Sequence, residues 1–169
     1  MAAENLADTF FAHLTRSDGG VGLCFGCREL GRCRLGLTVE RLLDDGTAEI
    51  ELMCPREQEG GPSVAHGGWT ASAMDEALGH LPILNGQFAV TAELTVRYRR
   101  PVPVERPLRA RSWVDRREGS RWYISGELLL AQGGAVLAEA TGIWVVRDPS
   151  HFTRHEEWLS EQDASAADG

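Results

Sequence analysis

His66-Gly67-Gly68 stands at the mouth of an Ala-rich apolar stretch, Trp69-Thr-Ala-Ser-Ala-Met74, and Asp75 and Glu76 follow directly. Adjacent carboxylates in so apolar a segment are out of place unless they meet solvent or do chemistry. A carboxylate taken from water becomes more basic, which is what a general base requires. Each residue also has a plainer reading. A histidine such as His66 is most often a structural hydrogen bonder, and Asp75 could be a solvated helix residue. Glu76 suits a surface or dimer contact, or an i,i+4 pair with His80.

The elements around these residues follow from hydrophobic period. Leu6, Phe10, Phe11 and Leu14 share one helical face over 4–14. A Gly- and Cys-rich loop runs over 18–32. Segments 34–40 and 47–53 read as a hairpin about Asp44-Asp45-Gly46. A helix is expected over 67–80, with Trp69, Ala73, Ala77 and His80 in one stripe that Ala71, Met74 and Leu78 widen; Gly79 and Pro82 are expected to end it. After Asn85-Gly86 the chain alternates as strand over 88–100, with Ala92, Leu94, Val96 and Tyr98 on one face. Segments 108–115, 121–131 and 135–147 complete a meander. The tail over 149–169 is polar and expected to be unstructured.

One helix more apolar than a surface helix must be wrapped by the sheet. The expected fold is therefore α+β, a curved antiparallel sheet around one central helix. The division is a helical extension over 1–20, a domain over 21–148 and the tail. The strand over 88–100 is liable to be an edge, and edges are covered or paired. A homodimer is expected, with a dimer of dimers as a further possibility.

The net charge of −8 argues against nucleic-acid binding. No apolar run is long enough to span a membrane, and no signal peptide is expected, so the reading is cytoplasmic with reduced thiols. All 17 basic residues are arginine, many of them after residue 96. Arginine suits phosphate through its fork of donors, although a solvated strand face is the equal alternative.

Three segments then come together: Cys24-Phe-Gly-Cys27 with Gly36-Leu37; Gly61-Pro-Ser-Val-Ala-His66-Gly-Gly68 separated by six residues from Asp75-Glu76; and Thr91-Ala-Glu-Leu-Thr-Val-Arg97-Tyr-Arg99-Arg100-Pro101-Val102-Pro103. Over about residues 22–146 the chain resembles the hotdog-fold acyl-CoA thioesterases, similar to the PaaI-like enzymes and closer to the thioesterase superfamily member branch. The resemblance implies hydrolysis of an acyl-CoA without a cofactor or metal. Asp75 takes the place of the catalytic carboxylate, as base or nucleophile. Gly67 and Gly68 take that of backbone donors facing the thioester oxygen, where the helix dipole favours negative charge. His66 would orient that loop or contact the thioester. Thr91 matches a hydroxyl that positions water, and is expected to meet Asp75 from a second subunit. Arg97, Arg99 and Arg100 are candidates for the CoA phosphates. Arg99 or Arg100, with Pro101 and Val102, would line the nucleotide exit. One departure stands out: Gly60 occupies a position where PaaI-like enzymes commonly carry asparagine, which argues against a phenylacetyl substrate.

Trp69, Met74, Phe88 and Trp113 are candidate walls of an acyl pocket. Cys24, Cys27, Cys33 and Cys54 have poor zinc spacing, and the expectation is buried thiols packing a loop. Two other functions remain open at this stage. One is a non-catalytic acyl-CoA-binding module and the other an enoyl-thioester hydratase or dehydratase.

Overall fold

The computed structural model describes residues 14–148 and 150–167. The helix expected over 4–14 falls almost wholly outside them. The strands are β1 (Leu37–Leu42), β2 (Ala48–Met53), β3 (Glu59–Gly61), β4 (Val64–Ala65), β5 (Ala89–Tyr98), β6 (Pro107–Glu118), β7 (Arg121–Leu130) and β8 (Val136–Val146). Between β4 and β5 runs helix α1 (Gly67–Leu84), and after β8 comes α2 (Ser150–Ala167). Six strands form one antiparallel sheet in the order β1-β2-β6-β7-β8-β5, and β3 and β4 pair separately beside the start of α1. The expected α+β architecture is thus present, and β5 is an edge strand.

Alternation places one face of each strand under α1. Ile50, Leu108, Ile124, Leu128 and Trp144 are buried there with Met74, Ala77, Leu78 and Leu81 of the helix. Burial of these side chains, at roughly 1.5–3 kcal/mol each, is the main force holding helix to sheet. The approach is close. A Cβ on Gly126 of β7 would lie 2.7 Å from Leu78 Cδ1 and 2.6 Å from the Arg111 carbonyl oxygen, so only glycine fits beneath the helix. Ser112 Oγ donates to the Ala77 carbonyl at 3.2 Å and ties β6 to the middle of α1.

Two expectations are corrected. Helix α1 does not stop at Gly79 and Pro82 but runs to Leu84, with Pro82 inside it. Leu81 and Pro82 are both buried, and that packing outweighs the backbone hydrogen bond that proline cannot donate. The tail is also more ordered than its polarity suggests, since 150–167 is helical. Asp148 Oδ1 accepts the Ser150 N–H at 3.0 Å, an N-terminal cap, and His155 stacks on Trp158 one turn away. The Phe152 ring lies 5.5 Å from that of Phe88, which docks the helix on the domain.

No helix among the described residues is long and apolar enough to cross a membrane.

Candidate active site

The loop from β3 to α1 is built on close backbone contacts. The His66 N–H donates to the Gln58 carbonyl at 2.7 Å, and Ala65 N–H to that of Val102 at 2.8 Å. A Cβ on Gly60 would lie 2.6 Å from the His66 Cα. Asparagine is thus excluded at position 60 by the packing of this loop, a physical reason for the departure noted in the sequence.

His66 is the N-cap of α1, and its Nδ1 accepts the Gly68 N–H at 2.9 Å. Satisfying one of the unpaired amides of the first turn is the work Ser or Asp usually does. The two glycines are therefore not equivalent. The Gly68 N–H is engaged by His66, whereas the Gly67 N–H has no partner among the described residues. The Gly67 carbonyl accepts from the Tyr98 hydroxyl at 2.9 Å, which fixes this end of α1 over the end of β5.

Two turns further on, Thr91 Oγ1 donates to Asp75 Oδ1 at 2.8 Å. The two meet within one chain, which corrects the expectation that a second subunit brings them together. A bulge in β5 between Thr91 and Glu93 is the cause. In a regular strand Thr91 would face away from Leu94, Val96 and Tyr98; the extra residue re-aims it toward α1. Burial pushes the Asp75 carboxyl above its ordinary value of 3.8, the Thr91 hydrogen bond pulls it back, and the neighbouring Glu76 charge adds to the rise. The result is a carboxylate more basic than usual, held by one hydroxyl.

Asp75 and Thr91 stand at the wall of a cavity of about 220 Å³ whose apolar lining includes Ile83, Phe88, Trp144 and Phe152. Of the four aromatic and sulfur candidates for an acyl pocket, Phe88 lines it. Trp69 and Met74 instead belong to the core, with Trp69 Nε1 donating to the Leu35 carbonyl at 3.2 Å, and Trp113 lies exposed on β6. Trp144 and Phe152 were missed because β8 and α2 reach the cavity through tertiary contact alone.

Behind the cavity lies a buried charge network that the sequence half-revealed. His80 Nε2 contacts Glu76 Oε1 at 3.1 Å, the expected i,i+4 pair, but its Nδ1 is hydrogen-bonded to Glu40 of β1. Glu40 also accepts the Gly22 N–H at 2.8 Å and pairs with Arg16 at 3.1 Å. Burial alone would lower the His80 pKa, but the hydrogen bonds and charges of Glu40 and Glu76 lift it to about 9. Burial alone would raise that of Glu40, but His80, Gly22 and Arg16 bring it below the usual carboxylate value. His80 is thus an imidazolium at neutral pH, clamped between β1 and its own helix.

A second cavity of about 330 Å³ opens at the N-terminal end of α1, lined by Gly67, Tyr98, Arg99, Arg100, Pro101 and Val102. Arg99 is ion-paired with Glu139, and Arg100 donates to the Val136 carbonyl at 2.6 Å. Arg97 does not line this cavity. Of the four cysteines, Cys27, Cys33 and Cys54 are buried; Cys24 is exposed, against the expectation for the loop. Among the described residues no cluster of three His, Cys, Asp or Glu side chains is placed to hold a metal ion.

Comparison with known proteins agrees with this architecture. Residues 63–137 match the sequence profile of the thioesterase superfamily. The chain is 32% identical over 91 residues to acyl-coenzyme A thioesterase THEM4 of Bos taurus, covering 54% of this chain and 37% of the relative. The chain thus spans little more than a third of that relative's length. A crystal structure of a thioesterase superfamily protein superposes with a TM-score of 0.64 at 27% identity, covering 78% of this chain and 64% of the other. A Streptococcus mutans protein bound to acetyl CoA superposes with a TM-score of 0.62 at 17% identity, over 69% and 93% of the two chains, a likeness of fold. The sheet wrapped about α1 is the hotdog fold.

Proposed function

We propose that this hotdog-fold chain, whose residues 63–137 form a thioesterase-superfamily segment, hydrolyses an acyl-CoA to the free acid and CoA. The observation that carries the reading is the Asp75–Thr91 contact, in which a carboxylate of raised basicity stands at the wall of an apolar cavity. Asp75 takes a proton from water as the water attacks the thioester carbonyl, or attacks that carbonyl itself to form a mixed anhydride that water then hydrolyses to the free acid. In either route the C–S bond breaks and CoA leaves as the thiolate, which takes up a proton. Thr91 orients the carboxylate and, in the first route, the water. The THEM4 relative supports a CoA thioester as substrate, and the protein bound to acetyl CoA shares the fold.

The oxyanion donor must come from elsewhere. Gly67 precedes Asp75 by eight residues, and at 1.5 Å per residue they stand about 12 Å apart along α1. One thioester cannot touch both in the same chain. The edge strand offers a solution. The Thr91–Asp75 contact lies at one end of β5 and the Tyr98–Gly67 contact at the other. Antiparallel pairing of β5 with a second copy would set one copy's Gly67 end against the other's Asp75 end. A homodimer built this way completes two sites, each with a carboxylate from one chain and the Gly67 N–H from its partner. The dipole of the partner's α1 would stabilise the developing negative charge. His66 holds that helix start in shape by capping Gly68.

Arg99, Arg100, Pro101 and Val102, beside Gly67, would line the exit for the nucleotide part of CoA. Replacing both arginines by alanine is expected to raise KM for an acyl-CoA about tenfold or more. A short acyl-cysteamine thioester, which lacks the phosphates, should be nearly unaffected. Equal effects on both substrates would remove the arginines from the CoA site.

Thiol release against acyl-CoA thioesters from acetyl through aromatic to palmitoyl tests the hydrolytic reading. Release from at least one, without addition of water across an enoyl-CoA, is the expected result. Binding with no release from any member would leave an acyl-CoA-binding module instead.

Thr91→Val removes the hydroxyl at nearly constant volume. Because the hydroxyl's hydrogen bond lowers the Asp75 pKa, its loss should shift the acid limb of the kcat/KM profile to higher pH while lowering the plateau. An unmoved acid limb would separate Thr91 from Asp75.

A further inference from the structure

Arg28, on the wall of the cavity beside Asp75, has no counter-charge among the described residues. Arg28 follows the short 3-10 turn Phe25–Cys27 and contributes to the cavity wall together with Leu23 and Phe25. Its Nε is buried and has no hydrogen-bond partner among the described residues, and Arg28 forms no ion pair with any of them. Leaving such a donor buried and unpaired is costly, and in native proteins it calls for an explanation. Other charged groups on the same wall are committed: His80 is held by Glu40 and Glu76, and Asp75 by Thr91. Arg111 also has an orphaned Nε, but it lies on β6 opposite Glu49 and Glu127, away from this cavity.

The guanidinium is held in place. Its Cζ lies 3.8 Å from the centroid of the Phe25 ring, so one face of the plane is stacked and the in-plane N–H edge is left for a ligand. The backbone beneath is tied by the Cys27 N–H to the Cys24 carbonyl at 2.9 Å and by the Gly31 N–H to the Arg28 carbonyl at 3.2 Å. A planar cation with two parallel donors, fixed before binding, is the arrangement that recognises a carboxylate bidentately.

We propose that Arg28 determines acyl specificity by binding a terminal carboxylate, so that the preferred substrates are CoA monothioesters of short dicarboxylic acids. This rests on the thioesterase reading and names its substrate class. The size of the cavity is in accord. About 220 Å³ exceeds the roughly 150 Å³ that suffices for benzene, which leaves room for a short chain ending in a carboxylate. Its apolar walls, Ile83, Phe88 and Trp144, would enclose the methylenes while the thioester carbonyl lies by Asp75.

Hexanoyl-CoA and adipyl-CoA, whose six-carbon acyl groups differ by the terminal carboxylate, supply the test. Thiol release by the wild-type chain should favour adipyl-CoA in kcat/KM by about tenfold or more, as expected for a charged hydrogen bond. Arg28→Gln should lose that preference while its rate on hexanoyl-CoA stays within about twofold. Arg28→Lys, which keeps the charge but not the fork, should retain part of the preference, and a purely structural role would not produce this order. An equal rate on the two thioesters in the wild type, or an equal loss on both in Arg28→Gln, overturns the assignment. Should the wild type hydrolyse neither, the hydrolytic reading falls, and calorimetric binding of the intact thioesters decides for Arg28 alone. Tighter adipyl-CoA binding that Arg28→Gln abolishes upholds the carboxylate site; equal binding of both overturns it.

Discussion

Asp75→Asn is expected to release thiol about 10³-fold more slowly than the wild type, the middle of the range for removing a general acid or base. Asparagine keeps the shape and can still accept the Thr91 hydrogen bond, so the melting temperature and affinity for free CoA should stay close to wild type. It cannot take a proton from water or form an acyl anhydride, so both chemical routes fail together. The loss should appear in kcat rather than KM, because the carboxylate acts on the transition state and contributes little to holding CoA. Measuring kcat, KM and CoA binding on the same preparation separates a chemical role from a structural one. An Asp75→Asn protein that turns over at the wild-type rate would move the chemistry to another group.

The second large effect concerns stability. His80→Ala leaves Glu40 and Glu76 without their shared cation, and the Glu40 side chain is only 1% exposed. Removing one partner of a buried ion pair costs about 3–5 kcal/mol, and each kcal/mol lowers Tm by about 2–4 °C in a chain of this size. The wild type should also show a characteristic pH window. His80 titrates higher in the folded chain, at about 9 against 6.5 when unfolded. The folded state therefore holds its proton more tightly. The resulting stability is fully present below pH 6.5 and lost as pH rises through about 9. Glu40 titrates below 4.5 in the folded chain, so its contribution is present above 4.5 and lost as pH falls through its lowered value. Tm measured from pH 4 to 10 should hold a plateau between these limits, and in His80→Ala the alkaline fall should vanish. A variant with unchanged Tm and the same alkaline limb would show that the network contributes nothing to folding.

The two predictions bear on one feature of α1. Asp75 and Glu76 are neighbours in sequence but do different work. Glu76 points to His80 and the β1 side, whereas Asp75 meets β5. Adjacent helical residues are separated by about 100° around the axis, so a carboxylate pair cannot act as a unit unless both face one groove. The clamp through His80 and Glu40 therefore anchors α1 against β1 and sets the position at which Asp75 meets Thr91.

The sequence alone determined a good deal. Hydrophobic alternation in the long strands and the apolar stripe of α1 are local patterns with a period of two or 3.6 residues, the Asp44-Asp45-Gly46 turn is set by its own residue types, and each is legible without neighbours. Asp75 was legible for a related reason, since a carboxylate among alanines is conspicuous wherever the helix lies. Tertiary structure decided the rest. The bulge in β5 brings Thr91 to Asp75 within one chain, and nothing in an alternating sequence marks where a strand will gain a residue. His80 is paired across forty residues with Glu40, a contact that exists only because β1 passes beneath α1. Trp144, Phe152 and Arg28 reach one cavity from β8, α2 and the loop after residue 22. Period and propensity describe a residue's own segment. Which segments share a cavity, and which buried charge lacks a partner, depends on how the sheet closes around α1, and packing of the whole chain alone determines that.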